Sequence, residues 1–187
     1  MNRNATGHDD SGLPIHERIN VLGSPLVIAP VGPQGPTTGF FRNNFCDSSS
    51  QDPGSHTVAA VVTPTFLDFS KSRGNDLWSL FPRLRSQSSS PSSSSSTDPC
   101  VWCLCASRWA EALRLSSSHP QGESIVPRVV LEATHERALE AGGIAREELE
   151  MFAVGGDGTG RLAGGGGGGG AVPQTGGRVG GGERVGR

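Results

Sequence analysis

Apolar positions along the 187-residue chain concentrate in two blocks, roughly residues 19–80 and 99–154, and one alternation recurs within them. A short β-prone run ends in Ser or Thr, and an amphipathic helical pattern begins there. Residues 56–62 predict a strand, with Thr63 as a helix cap, Pro64 at the first helical position and Gly74 as the stop. Residues 101–106 predict a second strand, with Ser107 as cap and Trp109, Ala110 and Leu113 as the apolar stripe of the helix that follows. Residues 128–133 predict a third, with Thr134 as cap of a helix through Ala138, Leu139 and Ala141 that Gly142 and Gly143 end. A closing helix over 146–152 sets Leu149 and Phe152 on one side. Ahead of these units, Val21, Leu22, Leu26, Val27 and Ile28 gather around a Gly23-Ser24-Pro25 turn, and 30–39 is a Pro- and Gly-rich loop.

Composition sets the limits of the domain. Nine of the eleven residues 86–96 are Ser, and 17 of the 33 residues 155–187 are Gly. Neither stretch has the apolar surface to offset the entropy of ordering. The expected map is a disordered N-terminus (1–18), one domain over 19–154 interrupted by a Ser-rich disordered insert (83–98), and a Gly-rich disordered tail (155–187). The expected class is α+β: a small mixed sheet with three strand–helix units packed on it, flanked by disordered segments.

Charge and cysteine usage narrow the partners. A net charge of −2 with interspersed signs argues against a dedicated nucleic-acid binder, which needs a cationic stripe. No apolar run approaches the ~20 residues of a membrane span. The polar N-terminus, with Asp9, Asp10 and Glu17, has neither a secretory h-region nor a transit-peptide composition, so the expectation is a soluble cytoplasmic protein. Its four cysteines, Cys46, Cys100, Cys103 and Cys105, are then expected as thiols or metal ligands rather than disulfides.

Six ordered blocks carry a resemblance. They are Asn20-Val21-Leu22-Gly23, Thr38-Gly39-Phe40-Phe41-Arg42, Gly54-Ser55-His56-Thr57-Val58, the run from Phe69 to Leu77, the run from Trp102 to Trp109, and the run from Val129 to Glu136. Together they resemble the domain-of-unknown-function 2237 family, over residue 20 to about 154. The resemblance implies a small domain without an assigned activity. It also implies that Phe45 and Ala59 stand where members ordinarily have Cys, and that Cys100 matches no family cysteine.

Several residue groups can carry chemistry. Cys103 and Cys105 would share one face of a strand and supply half of a zinc site, with Cys46, His56 or His135 completing it. A Cys-x-Cys pair on a strand lacks the helix N-terminus that favours a redox dithiol. Arg73, Asn75 and Asp76 at a helix end offer anion-binding groups, and Arg42 is a further ligand candidate. His56 and His135, the latter between Glu132 and Glu136, are candidate bases, each without a Ser or Cys nucleophile near it in sequence. Gly155-Gly156-Asp157-Gly158-Thr159 copies the phosphate-binding signature of lipid and NAD kinases, but the seven glycines 164–170 cannot sustain the helix it requires. The leading expectation is a module binding a small molecule or protein. The alternatives are a small enzyme with a polar site near Arg73, Asn75, Asp76, His56 and Cys103, and a zinc- or thiol-dependent module built on Cys103 and Cys105.

Overall fold

The structure is a computed structural model that describes residues 18–32, 35–87 and 100–155. The expected disordered N-terminus, the serine tract from residue 88 onward and the tail with its Gly-Gly-Asp-Gly-Thr sequence lie essentially outside those residues.

An α+β domain is present, as the strand–helix pattern predicts. Strand β1 (Val58–Val61) is central in a three-stranded sheet, between β2 (Val101–Leu104) and β3 (Arg128–Val129). Both ladders are antiparallel, with Val58 opposite Leu104 and Ala60 opposite Val129. Parallel bridges from Cys46 to Thr134 and from Val129 to Ala153 extend the margins. β1 is apolar at every position because both faces of the sheet are covered. Val58 and Ala60 face a large core with Phe66, Trp102, Leu104 and Trp109, and Ala59 faces a smaller one with Ala29, Cys46, Val101, Cys103 and Val130.

The first strand–helix unit forms as its sequence dictates. Helix α1 (Pro64–Ser72) starts at Pro64, the Thr63 hydroxyl accepts the Phe66 N–H at 3.2 Å, and Gly74 follows the end with φ +82°. A 3₁₀ turn (Trp78–Leu80) and helix α2 (Pro82–Gln87) come next, so ordered chain runs into the start of the segment expected as the insert. Leu84 packs on the large core, which accounts for that extension.

The second unit departs from expectation at its junction. Helix α3 (Ala106–Ser116) begins before Ser107, and its cap residue is Cys105, whose side chain makes no capping bond. Burial decides the start: Ala106, Trp109 and Ala110 face the core only in this frame, and the Trp109 indole N–H donates to the Pro127 carbonyl at 3.0 Å. Cys105 therefore stands beyond the end of β2 rather than on its face.

The third unit differs more. β3 stops after two residues, a 3₁₀ turn (Leu131–Ala133) follows, and helix α4 (Arg137–Gly142) starts after Glu136 rather than at Thr134. Thr134 is fully buried, where its hydroxyl donates to the Val130 carbonyl at 2.9 Å and accepts the Ala59 N–H at 3.1 Å. That hydroxyl completes the edge of β1 instead of capping a helix. Gly143, at φ +57°, ends α4 as expected, and helix α5 (Arg146–Met151) buries Leu149 and sets Phe152 edge-on to Trp109. Val27 and Ile28, expected in the first cluster, are exposed, whereas Val21 and Leu26 are buried.

The cysteines also differ from the thiol or metal-ligand expectation. Cys46 and Cys103, both buried, form a disulfide, and Cys100 and Cys105 are free. Among the described residues, no helix is long and apolar enough to cross a membrane.

Thr134→Val should lower the unfolding free energy by about 1–3 kcal/mol, because it leaves the buried Ala59 N–H without its acceptor. Thr134→Ser should recover most of the loss. Urea denaturation of the two variants checks this.

Candidate active site

Three side chains from two chain segments meet beside the sheet. The connection leading into β1 turns at Asp52, whose carboxylate is fully buried. Its Oδ1 accepts the Gly54 N–H at 3.0 Å, and its Oδ2 accepts the His56 backbone N–H at 2.7 Å. Oδ1 also lies 2.8 Å from Nδ1 of His56. A carboxylate only accepts, so Nδ1 carries the proton and Nε2 is directed the other way. At 3.3 Å from Nε2 lies Sγ of Cys105.

Local backbone makes this possible. Ser55 adopts φ +47°, uncommon for a non-glycine residue, and its carbonyl accepts the Ala106 N–H at 3.0 Å. That bond joins the turn to the first residue of α3 and sets Cys105 beside His56. Gly54 fills the angle between them: a Cβ there would lie 2.6 Å from Cε1 of His56 and 3.1 Å from Sγ of Cys105. Only glycine allows the two side chains to approach each other across this turn.

Electrostatics follow from the geometry. The hydrogen bond to Cys105 pushes His56 up from 6.5 to about 9; burial opposes the rise, and Asp52 adds to it. At neutral pH the imidazole is therefore held protonated between a sulfur and a carboxylate. Cys105 heads α3 as its cap residue, with its sulfur making no capping bond. Burial pushes the Cys100 thiol up.

Cys105 and His56 open into a cleft of about 210 Å³. Leu77, Leu80, Trp102 and Leu104 form its apolar wall, and Arg42, Asn75 and Arg108 its polar rim. Arg42 also adopts a left-handed backbone, φ +56°, which costs about 1 kcal/mol or more. Its guanidinium lies 5.3 Å from the centroid of the Trp102 ring.

A family model described as "Uncharacterized protein conserved in bacteria (DUF2237)" matches residues 19–153. The chain belongs to the DUF2237 family. No curated protein matches it.

Of the residues singled out from sequence, this DUF2237 chain brings Arg42, His56, Asn75 and Cys105 to one cleft. Arg73 pairs with Glu111 at 2.7 Å and Asp76 with Lys71 at 2.9 Å, both exposed beside Asn75 and outside the cleft lining itself. His135 is buried near Asp47, 3.8 Å from its carboxylate. Cys46 and Cys103 are committed to their disulfide, so the Cys103–Cys105 pair of the zinc and dithiol readings is not formed. Among the described residues, no cluster of three His, Cys, Asp or Glu side chains is arranged to hold a metal ion. Asp52, Arg108 and Trp102 are site residues that the sequence reading did not single out as such. An Asp four residues before a His, across Pro53-Gly54, is the signal that could have found the first.

In a histidine NMR titration, His56 is expected to lose its proton near pH 9, and Cys105→Ser should move that midpoint toward or below 6.5. Since the folded value exceeds the ordinary one, the contribution of the protonated ring to stability is complete below about pH 6.5 and is lost as pH rises through about 9. A midpoint near 6.5 in the unaltered protein would contradict the pairing.

Proposed function

We propose that this domain is a thiol-dependent enzyme that hydrolyses or transfers a small acyl group, with Cys105 as nucleophile, His56 as acid and base, and Asp52 as the positioning residue. The observation that carries the reading is the alignment of Cys105 Sγ, His56 Nε2 and Nδ1, and Asp52 Oδ1, with contacts of 3.3 and 2.8 Å, at the mouth of a cleft. A nucleophile within reach of a base that a third group orients is the general arrangement of covalent acyl-transfer catalysis.

The step balances without a cofactor. The Cys105 thiolate adds to the carbonyl carbon, and the protonated His56 gives its Nε2 proton to the leaving nitrogen or oxygen. The bond to the leaving group breaks, and a thioester to Cys105 remains. Neutral His56 then takes a proton from water as that water attacks the thioester; the acid is released, the sulfur leaves as thiolate, and His56 is left protonated as at the start. Asp52 touches no reacting atom, but it fixes the tautomer and steadies the imidazolium.

This reading keeps the small-molecule partner expected from sequence and gives the binding module a chemical role. It moves the enzyme alternative from Cys103 to Cys105. We retain the cytoplasm as the location: the Cys46–Cys103 bridge is 0% and 1% exposed, and exchange with soluble thiols requires access to a sulfur.

With 4-nitrophenyl acetate as probe, the full chain should release an initial burst of nitrophenol and carry an acetyl group on Cys105, detectable by mass spectrometry. Cys105→Ala should abolish both, and Asp52→Asn should slow the burst by about 100-fold. An undiminished burst from Cys105→Ala would overturn the assignment.

A further inference from the structure

We propose that Arg42 is a carboxylate-binding residue of this cleft, so that the substrate is a small acyl compound carrying its own carboxylate. The inference rests on the nucleophile assigned above and adds the class of molecule presented to it.

Two arginines border the cleft, and they differ in what they already hold. Nη1 of Arg108 donates to Glu111 at 3.0 Å and lies 3.4 Å from the Arg73 carbonyl, so its charge is met within the protein. Arg42 makes no ion pair among the described residues. Its guanidinium touches the Trp102 ring and makes a single 3.3 Å bond from Nη1 to the Thr37 carbonyl. A guanidinium resting on an aromatic face keeps most of its five donors free, and their planar fork matches a carboxylate.

The fold places this side chain with some care. The Thr38 hydroxyl accepts the Cys103 N–H at 2.7 Å, and Cys46 is bridged to the Cys103 sulfur. Both ends of the loop carrying Arg42 are therefore fastened to one residue of β2, the neighbour of Trp102. Asn44 closes the loop from within, its side chain accepting the Thr38 N–H at 2.9 Å. Between those ties Arg42 is held in the left-handed region, a conformation that a plain surface turn would give to glycine.

Size completes the argument. The cleft is small, about 210 Å³. The apolar wall from Leu77 to Leu104 suits a short hydrocarbon spacer between carboxylate and acyl carbon. A compact molecule with an anionic end and a reactive end suits this space.

Iodoacetate and iodoacetamide test the proposal, since they differ chiefly in the carboxylate. Alkylation of the full chain is followed by mass spectrometry that separates Cys105 from Cys100. The ratio of the iodoacetate rate to the iodoacetamide rate at Cys105 is expected to exceed that at Cys100 by about tenfold, the scale of one charge-assisted hydrogen bond. In Arg42→Gln the ratio should fall to that of Cys100, with the iodoacetamide rate at Cys105 held within about twofold. Arg42→Gly, which relieves the backbone, should behave alike and guards against misfolding as the cause. An unchanged ratio in both variants overturns the proposal while leaving Cys105 as nucleophile. If iodoacetamide modifies Cys105 no faster than Cys100, the nucleophile itself is wrong and the substrate class falls with it.

Discussion

The buried carboxylate of Asp52 is the constraint on which the rest of this domain depends. A charge fully removed from water is tolerated only when its lone pairs are met, and here the Gly54 N–H, the His56 N–H and the His56 ring meet them. Bonds of this kind are worth roughly 1.5–3 kcal/mol each. Because two of them come from one histidine, the same interaction that stabilises the turn fixes the direction of the imidazole. Moving the ring would leave a buried acceptor short of a donor, so structural need and site geometry are satisfied by one set of atoms.

The sheet supplies the other half of the site by where it ends. β2 stops at Leu104, α3 starts at Ala106, and Cys105 occupies the hinge between them with its sulfur free of any capping bond. Two residues before it, Cys103 points to the opposite face of the sheet from Trp102 and Leu104 and ties down the loop that carries Arg42. Trp102, a further residue back, returns to the cleft side and supports Arg42 from beneath. Strand alternation thus sends neighbouring residues to separate tasks: a wall, an anchor and a nucleophile.

Much of this domain could be read before its structure was known, and the gaps have physical reasons. The unit from Thr63 to Gly74 was legible because cap, proline and glycine each act locally. The starts of α3 and α4 were not, since the decisive terms are long-range: burial of Trp109, and the bond that takes the Thr134 hydroxyl to Ala59, 75 residues away. At the site, His56, Arg42, Asn75 and Cys105 could be named from residue type alone. Their convergence could not, because it depends on a carbonyl of Ser55 reaching Ala106. The Cys46–Cys103 bridge escaped for a different reason: compartment arguments favour thiols, whereas antiparallel pairing and the Cys46–Thr134 bridge bring the two segments together.

Crystallography of the unaltered full chain tests the central claim most directly. The account predicts His56 held by both oxygens of Asp52, with Nε2 within hydrogen-bonding distance of Sγ of Cys105 at the head of α3. A ring swung into solvent, or a Cys105 side chain turned into the core away from it, would contradict the account whatever the rest of the fold looked like.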